Sequence, residues 1–379
     1  TSMRDMVIHG NDLVLATYGR SIYILDDITP LRSALGSSAS AGPATFYPPA
    51  AALRWRWDDN EDTPLPREVA AAKNPPDGVV LDYFVGGDGA TEGTIEIADS
   101  RGNLVRRYTS TPPEKSSLLP NVPEYWFAPP AVADVSRGPH RFVWNLRYQD
   151  PRILPYSYYG NFIDYIEYTL ADHAIPGETP RSQAFGPLVA PGTYTVTLSM
   201  KLANGSSTVQ KQQLTVKEDP RIRATQRDLD DQLTLAQQAV RGLNATTDAF
   251  NAARPLRDAV IDREKAAVTM QNAADLDAAL KKLDKDLADM FDGTRTAPGI
   301  GPENRDLART FTMIESADAR PSQPAHDAVT ATCSNIDKSF ADWRKLQAET
   351  LPQINSQLTA HQLAALPAVN ISTDSPCGK

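Results

Sequence analysis

The 379-residue chain has little of what usually announces a chemistry. It holds two cysteines, Cys333 and Cys377, and five scattered histidines, none paired at metal-ligand spacing. That excludes a cysteine-rich scaffold and the common zinc patterns. No apolar run approaches the roughly 20 residues that span a bilayer as a helix. Basic residues are outnumbered, 38 to 47, leaving a net charge of -9. Nucleic acid and anionic membrane are therefore excluded as main partners, because both need a concentrated basic surface. G-x-S-x-G, H-E-x-x-H, the P-loop and the dinucleotide fingerprint are all absent. No signal peptide is visible, and the opening TSMRDM carries no initiator Met, so it reads as a cut or matured end.

Hydrophobic residues make up 41% of the chain, enough to build real cores, and the length suits two or three domains. Residues 1–32 contain three short strand patterns, MVIH, LVLAT and SIYILDD. Each is apolar on both faces, as strands are when both sides are covered. Residues 33–73 read as a Pro-rich linker, charged and aromatic, that lies against something, since Trp55 and Trp57 are costly to leave in water. Residues 74–219 carry period-2 alternation: Val79, Leu81, Tyr83, Val85; Phe142, Trp144, Leu146; Tyr194, Val196, Leu198, Met200. Several short strands with turn signals predict an Ig-like antiparallel β-sandwich. It carries a Tyr-rich insertion at 151–185.

From 220 to 379 the period becomes helical. Leu229, Leu233, Ala236, Val240 and Leu243 form one stripe, and Leu276, Leu280, Leu283 and Leu287 another. Val329, Cys333, Ile336, Phe340 and Trp343 make a third, with a shorter one at Leu307, Phe311 and Ile314. Such seams predict an antiparallel helical bundle with a C-terminal tail, its first helix kinked or divided at Pro255. The fold class expected is thus multidomain, β plus α.

The phrase RDMVIHGNDLVLATYGRSIYILDDITPLR (4–32) resembles the last blade of the bacterial-neuraminidase-repeat, sortilin-like β-propeller proteins, often labelled glycosyl hydrolase. NPPDGVVLDYF, HRFVWNLRY, GPLVAPGTYTVTL, LTVKEDPR and LPQINSQL continue the resemblance in order. It implies a C-terminal part whose propeller lies upstream, as a separate chain or as earlier residues of the same one. The Asp-box of neuraminidase repeats is absent here.

Candidate sites follow from residue types. Asp26 and Asp27 are the acid-chemistry candidates, but neighbours on a strand point to opposite faces, so the structural reading is a strand cap. Arg20 is placed to bind a carboxylate or to tie the blade to its neighbour. Asp58, Asp59 and Asp62 could hold Ca²⁺, although the spacing is not that of an EF-hand loop, so no cofactor is expected. Tyr156, Tyr158, Tyr159, Tyr165 and Tyr168 crowd the insertion and suit a glycan or protein ligand, or an interdomain contact. Cys333 and Cys377 are either a disulfide pinning the tail or free thiols; the disulfide suits a secreted or periplasmic protein. The functional expectation is a non-catalytic part completing and bracing a propeller. The alternative is an accessory part completing the active site of a propeller glycoside hydrolase or lyase.

Overall fold

In the computed structural model, residues 2–36, 43–56, 68–69, 75–113, 129–152, 154, 185–371 and 376–378 are described. The chain is mixed β plus α. Three strands open it, β1 (Met3–His9), β2 (Asp12–Thr17) and β3 (Ile22–Leu25), as an antiparallel meander in the order β1-β2-β3. Gly10 takes a positive φ of 62° in the tight turn between the first two. A helix, α1 (Thr29–Gly36), follows.

Two sheets then face each other across one shared apolar core. The smaller has the order β4-β6-β9, from β4 (Ala44–Phe46), β6 (Val79–Val85) and β9 (Gly138–Trp144). The larger has the order β5-β11-β10-β7-β8. Its strands are β5 (Ala52–Arg54), β7 (Ala90–Ala98), β8 (Leu104–Thr109), β10 (Gly192–Leu202) and β11 (Ser207–Glu218). The alternation works as expected: Val79, Leu81, Tyr83 and Val85 are buried, as are Tyr194, Val196, Leu198 and Met200. Phe84 lies on the other face of β6 and is only half-buried, so it is not a core residue. Trp144 packs edge-on to Tyr194, and its Nε1 donates to the Arg147 carbonyl (3.0 Å).

Two strands come from the segment expected to be irregular linker. Three-residue strands flanked by prolines carry no readable period, and their existence depends on partners far away in sequence. The Gln210 side chain binds β4 on both sides, donating to the Ala44 carbonyl (2.6 Å) and accepting from the Phe46 amide (2.8 Å). Gln212 donates to the Phe46 carbonyl (2.9 Å). These amides act as a surrogate backbone joining the two sheets at one edge. β5 pairs in parallel with β11.

The remaining chain is helical: α2 (Gln226–Val268), α3 (Ala274–Asp292), α4 (Ile300–Ile314), α5 (Gln323–Lys345) and α6 (Leu351–Ala360), with a π-helical turn at Leu346–Thr350 joining the last two. They enclose a second core. Thr225 and Asp228 form a capping box that starts α2. Pro255 lies inside α2 and does not divide it. On α2 the stripe holds at Leu229, Ala236 and Leu243, which are fully buried, while Leu233 and Val240 are half-buried and Leu235 and Ala239 take core positions beside them. Cys333 and Cys377 form a disulfide between residues 44 apart. Its chain-entropy contribution is about 4 kcal/mol. Gly242 makes room for it, because a Cβ there would sit 2.9 Å from the Cys377 Sγ and 2.6 Å from Leu307.

Candidate functional site

The most unusual surface belongs to β1–β3. Cross-strand pairing puts Val7, Val14 and Ile24 in one row and Ile8, Leu13 and Leu25 in the next. Rows alternate between faces, so one face carries Val7, Val14, Ala16, Ile22 and Ile24, together with Asp5, His9 and Asp12. The other carries Met6, Ile8, Leu13, Leu15, Tyr23 and Leu25. Yet every residue of β1 and β3 is exposed, with Met6 at 62% and Ile24 at 60%, and all of β2 is half-buried. The second face is apolar throughout, the first is apolar apart from Asp5, His9 and Asp12, and both outer strands offer unpaired backbone.

A second feature lies where the facing sheets meet the helices. Arg54 ends β5 at 1% exposure. Its Nε donates to the Val189 carbonyl (2.7 Å), one nitrogen reaches Gln232 Oε1 (3.3 Å), and another pairs with Asp318. Burial pulls the Arg54 pKa below its ordinary value, and the Asp318 charge opposes that. Arg56 also pairs with Asp318 and donates to the Glu315 carbonyl. Glu315 Oε2 accepts from Arg147 (3.1 Å) and from the Leu188 amide (3.2 Å). Gln232 Nε2 donates to the carbonyls of Ile314 and Ala317, both at 2.6 Å. Three arginines from the sheet side thus meet two carboxylates just after α4. No pattern along the chain points to this, because the five charges come from three distant segments.

Glu303 on α4 is buried at 3% exposure. Burial raises its carboxyl pKa, while the Asn335 amide donating to Oε1 (2.8 Å) works against the shift. A raised carboxyl pKa favours the protonated folded form. Its stabilisation is complete below the unfolded value of about 4.3 and is lost as pH climbs through the folded value. Relative to Glu303→Gln, the parent protein should lose melting temperature as pH rises above about 4.5. Parallel melting curves across that range would contradict this.

The sequence candidates fall as follows. Asp27 has a positive φ of 49°, and its Oδ1 accepts from the Thr29 amide (3.0 Å) while its own amide donates to Asp12 (3.0 Å). It shapes the turn into α1. Arg141 approaches the Asp27 carbonyl (3.4 Å) while pairing with Asp82, and Asp26 adds to the field on that arginine. Arg20 is exposed on the β2–β3 loop. Trp55 is 36% exposed, with the Arg221 guanidinium 4.7 Å over its ring. Trp57, Asp58, Asp59, Asp62, Tyr156, Tyr158, Tyr159, Tyr165 and Tyr168 lie outside the described residues. Among the described residues, no cluster of His, Cys, Asp or Glu is placed to hold a metal, and no helix is long and apolar enough to cross a membrane. A shallow depression on α2 is lined by Arg227, Asp230, Asp231, Thr234 and Arg320, but Asp231 already pairs with Arg320 (3.5 Å) and His326 (3.4 Å).

No protein-family model matches this chain, and no curated protein does. Among solved structures, that of CopC from Methylosinus trichosporium OB3b is similar at 14% identity over 38% of this chain and 79% of that one. Its TM-score of 0.18 is too low to carry an argument.

Proposed function

We propose that this chain is the non-catalytic C-terminal portion of an extracytoplasmic β-propeller protein of the neuraminidase-repeat, sortilin-like kind. Strands β1–β3 complete its closing blade, the facing sheets act as an Ig-like sandwich, and the helices act as a bundle that braces it. The observation that carries the reading is the apolar exposure of β1–β3 on both faces. A sheet with one wet face would alternate apolar and polar residues. Left uncovered, this one would be an aggregation hazard at its faces and its edges alike. A propeller covers both faces with neighbouring blades. The Cys333–Cys377 disulfide suits a compartment outside the cytoplasm. The ligand class remains a glycan or a protein, approached through the propeller.

Hydrogen exchange tests the proposal. In the full-length protein, with its upstream residues, the amides of β1 and β3 should exchange at least 100-fold more slowly than in this chain alone. Equal, slow exchange in both would mean that the sheet needs no partner, and the reading would fail.

A further inference from the structure

We infer that Asn204 is a site of spontaneous modification: its side-chain amide closes onto the Gly205 nitrogen and opens to aspartate and its β-linked isomer, with Ser206 assisting. Asn204-Gly205 is the sole Asn-Gly step in the chain. It lies at the exposed tip of the β10–β11 hairpin. The tip is closed by the Leu202 amide donating to the Ser206 carbonyl (2.8 Å) and the Gly205 amide donating to the Leu202 carbonyl (2.9 Å). Gly205 takes a positive φ of 84°, the left-handed conformation that ends a short hairpin loop. A Cβ there would meet nothing within 4 Å, so no side chain crowds the Gly205 nitrogen.

Asn204 Oδ1 accepts from the Ser206 amide (3.0 Å) and from the Ser206 hydroxyl (2.7 Å). These bonds carry the side-chain carbonyl forward across the Gly205 peptide. They also aim two donors at the atom where charge develops when a nitrogen attacks Cγ, as an oxyanion hole does. In the step, the Gly205 nitrogen gives its proton to water and bonds to Asn204 Cγ. The Cγ–Nδ2 bond breaks, and the amide nitrogen takes up a proton and leaves as ammonia. Water then opens the cyclic imide, at the side-chain carbonyl to give aspartate or at the backbone carbonyl to give the β-linked isomer. Nothing is oxidised or reduced; water is consumed and ammonia released. The brake is the hydrogen bond from Gly205 to Leu202, which must open first, and opening at a loop tip lies at the cheap end of local unfolding. Other asparagines lack these parts. Asn103 precedes Leu104 and its amide is tied to Asp99 (2.9 Å), while Asn244 lies inside α2 with its Oδ1 taken by the Arg152 amide (2.7 Å).

Incubation of the folded protein at mildly alkaline pH, followed by trypsin and mass spectrometry, reads the change in the peptide 202–211, which holds no other asparagine. The expected result is an amide-to-acid mass gain at Asn204, resolved as two chromatographic isomers and about tenfold faster than at Asn103 or Asn244. Ser206→Ala should slow the gain about fivefold, less than the loss of a donor costs in a dry site, and Ser206→Thr, which keeps the hydroxyl, should restore it. Equal rates in all three proteins overturn the role given to the Ser206 hydroxyl, and the inference with it. No gain at Asn204 in the folded protein, over a time in which the same peptide cut free converts, shows that the turn locks the nitrogen and overturns the inference as well.

Discussion

Replacing Arg54 with alanine should destabilise the protein by about 2–4 kcal/mol, because it removes one of the two guanidinium groups that neutralise a buried carboxylate. Asp318 is shared by Arg54 and Arg56, and all three sit in the seam between the facing sheets and the helices. The loss also removes the donor to the Val189 carbonyl, which is buried. Asp318→Asn should cost a comparable amount, since it leaves two arginines facing each other. The double variant should cost much less than the two single losses added together, because the groups act as one network. Denaturant unfolding of the three variants gives the numbers. A loss below about 1 kcal/mol for Arg54→Ala would show that water compensates the seam and that the network does not couple the two halves.

Leu283→Asp should be the most damaging single change in the helical part, at about 4 kcal/mol or more. Leu283 is fully buried on the same α3 stripe as Leu276, Leu280 and Leu287. Leu233→Asp offers an internal comparison. Leu233 belongs to an apolar stripe as clean as that of α3, yet it is only half-buried, so its loss should stay near 1 kcal/mol. Thermal or denaturant melting of both variants measures the difference. Equal losses would mean that the stripe, and not the packing around it, sets the cost.

That pair also shows where the sequence stopped being informative. Period-2 alternation located the strands around Val79–Val85 and Tyr194–Met200, and helical stripes located α3, α4 and α5, because each pattern lies within one continuous segment. On α2 Leu229, Ala236 and Leu243 are buried as the stripe has them, but Leu233 and Val240 are half-buried and Leu235 and Ala239 fill the core beside them. Pro255 is expected to kink or divide that helix and does not divide it; proline removes one backbone donor, and packing along the rest of the helix carries it through. Strands β4 and β5 were illegible because three residues hold no period. The charged seam was illegible because Arg54, Arg147, Glu315 and Asp318 meet only once the chain is folded. The exposed sheet was the opposite case. Its two-faced apolar pattern was plain in the sequence, and the structure shows both faces uncovered.

The glutamine tie between β4 and β11 has a consequence for the order in which the chain can fold. Phe46 and Gln210 are 164 residues apart. At a synthesis rate of ~5–20 residues per second, roughly 10–30 s pass between the appearance of one and the other. Throughout that interval β1–β3 can pair locally, since hairpins close in microseconds, whereas β5 has no strand to join until β11 is made. The apolar meander therefore emerges complete while the sheets beside it are still missing half their strands.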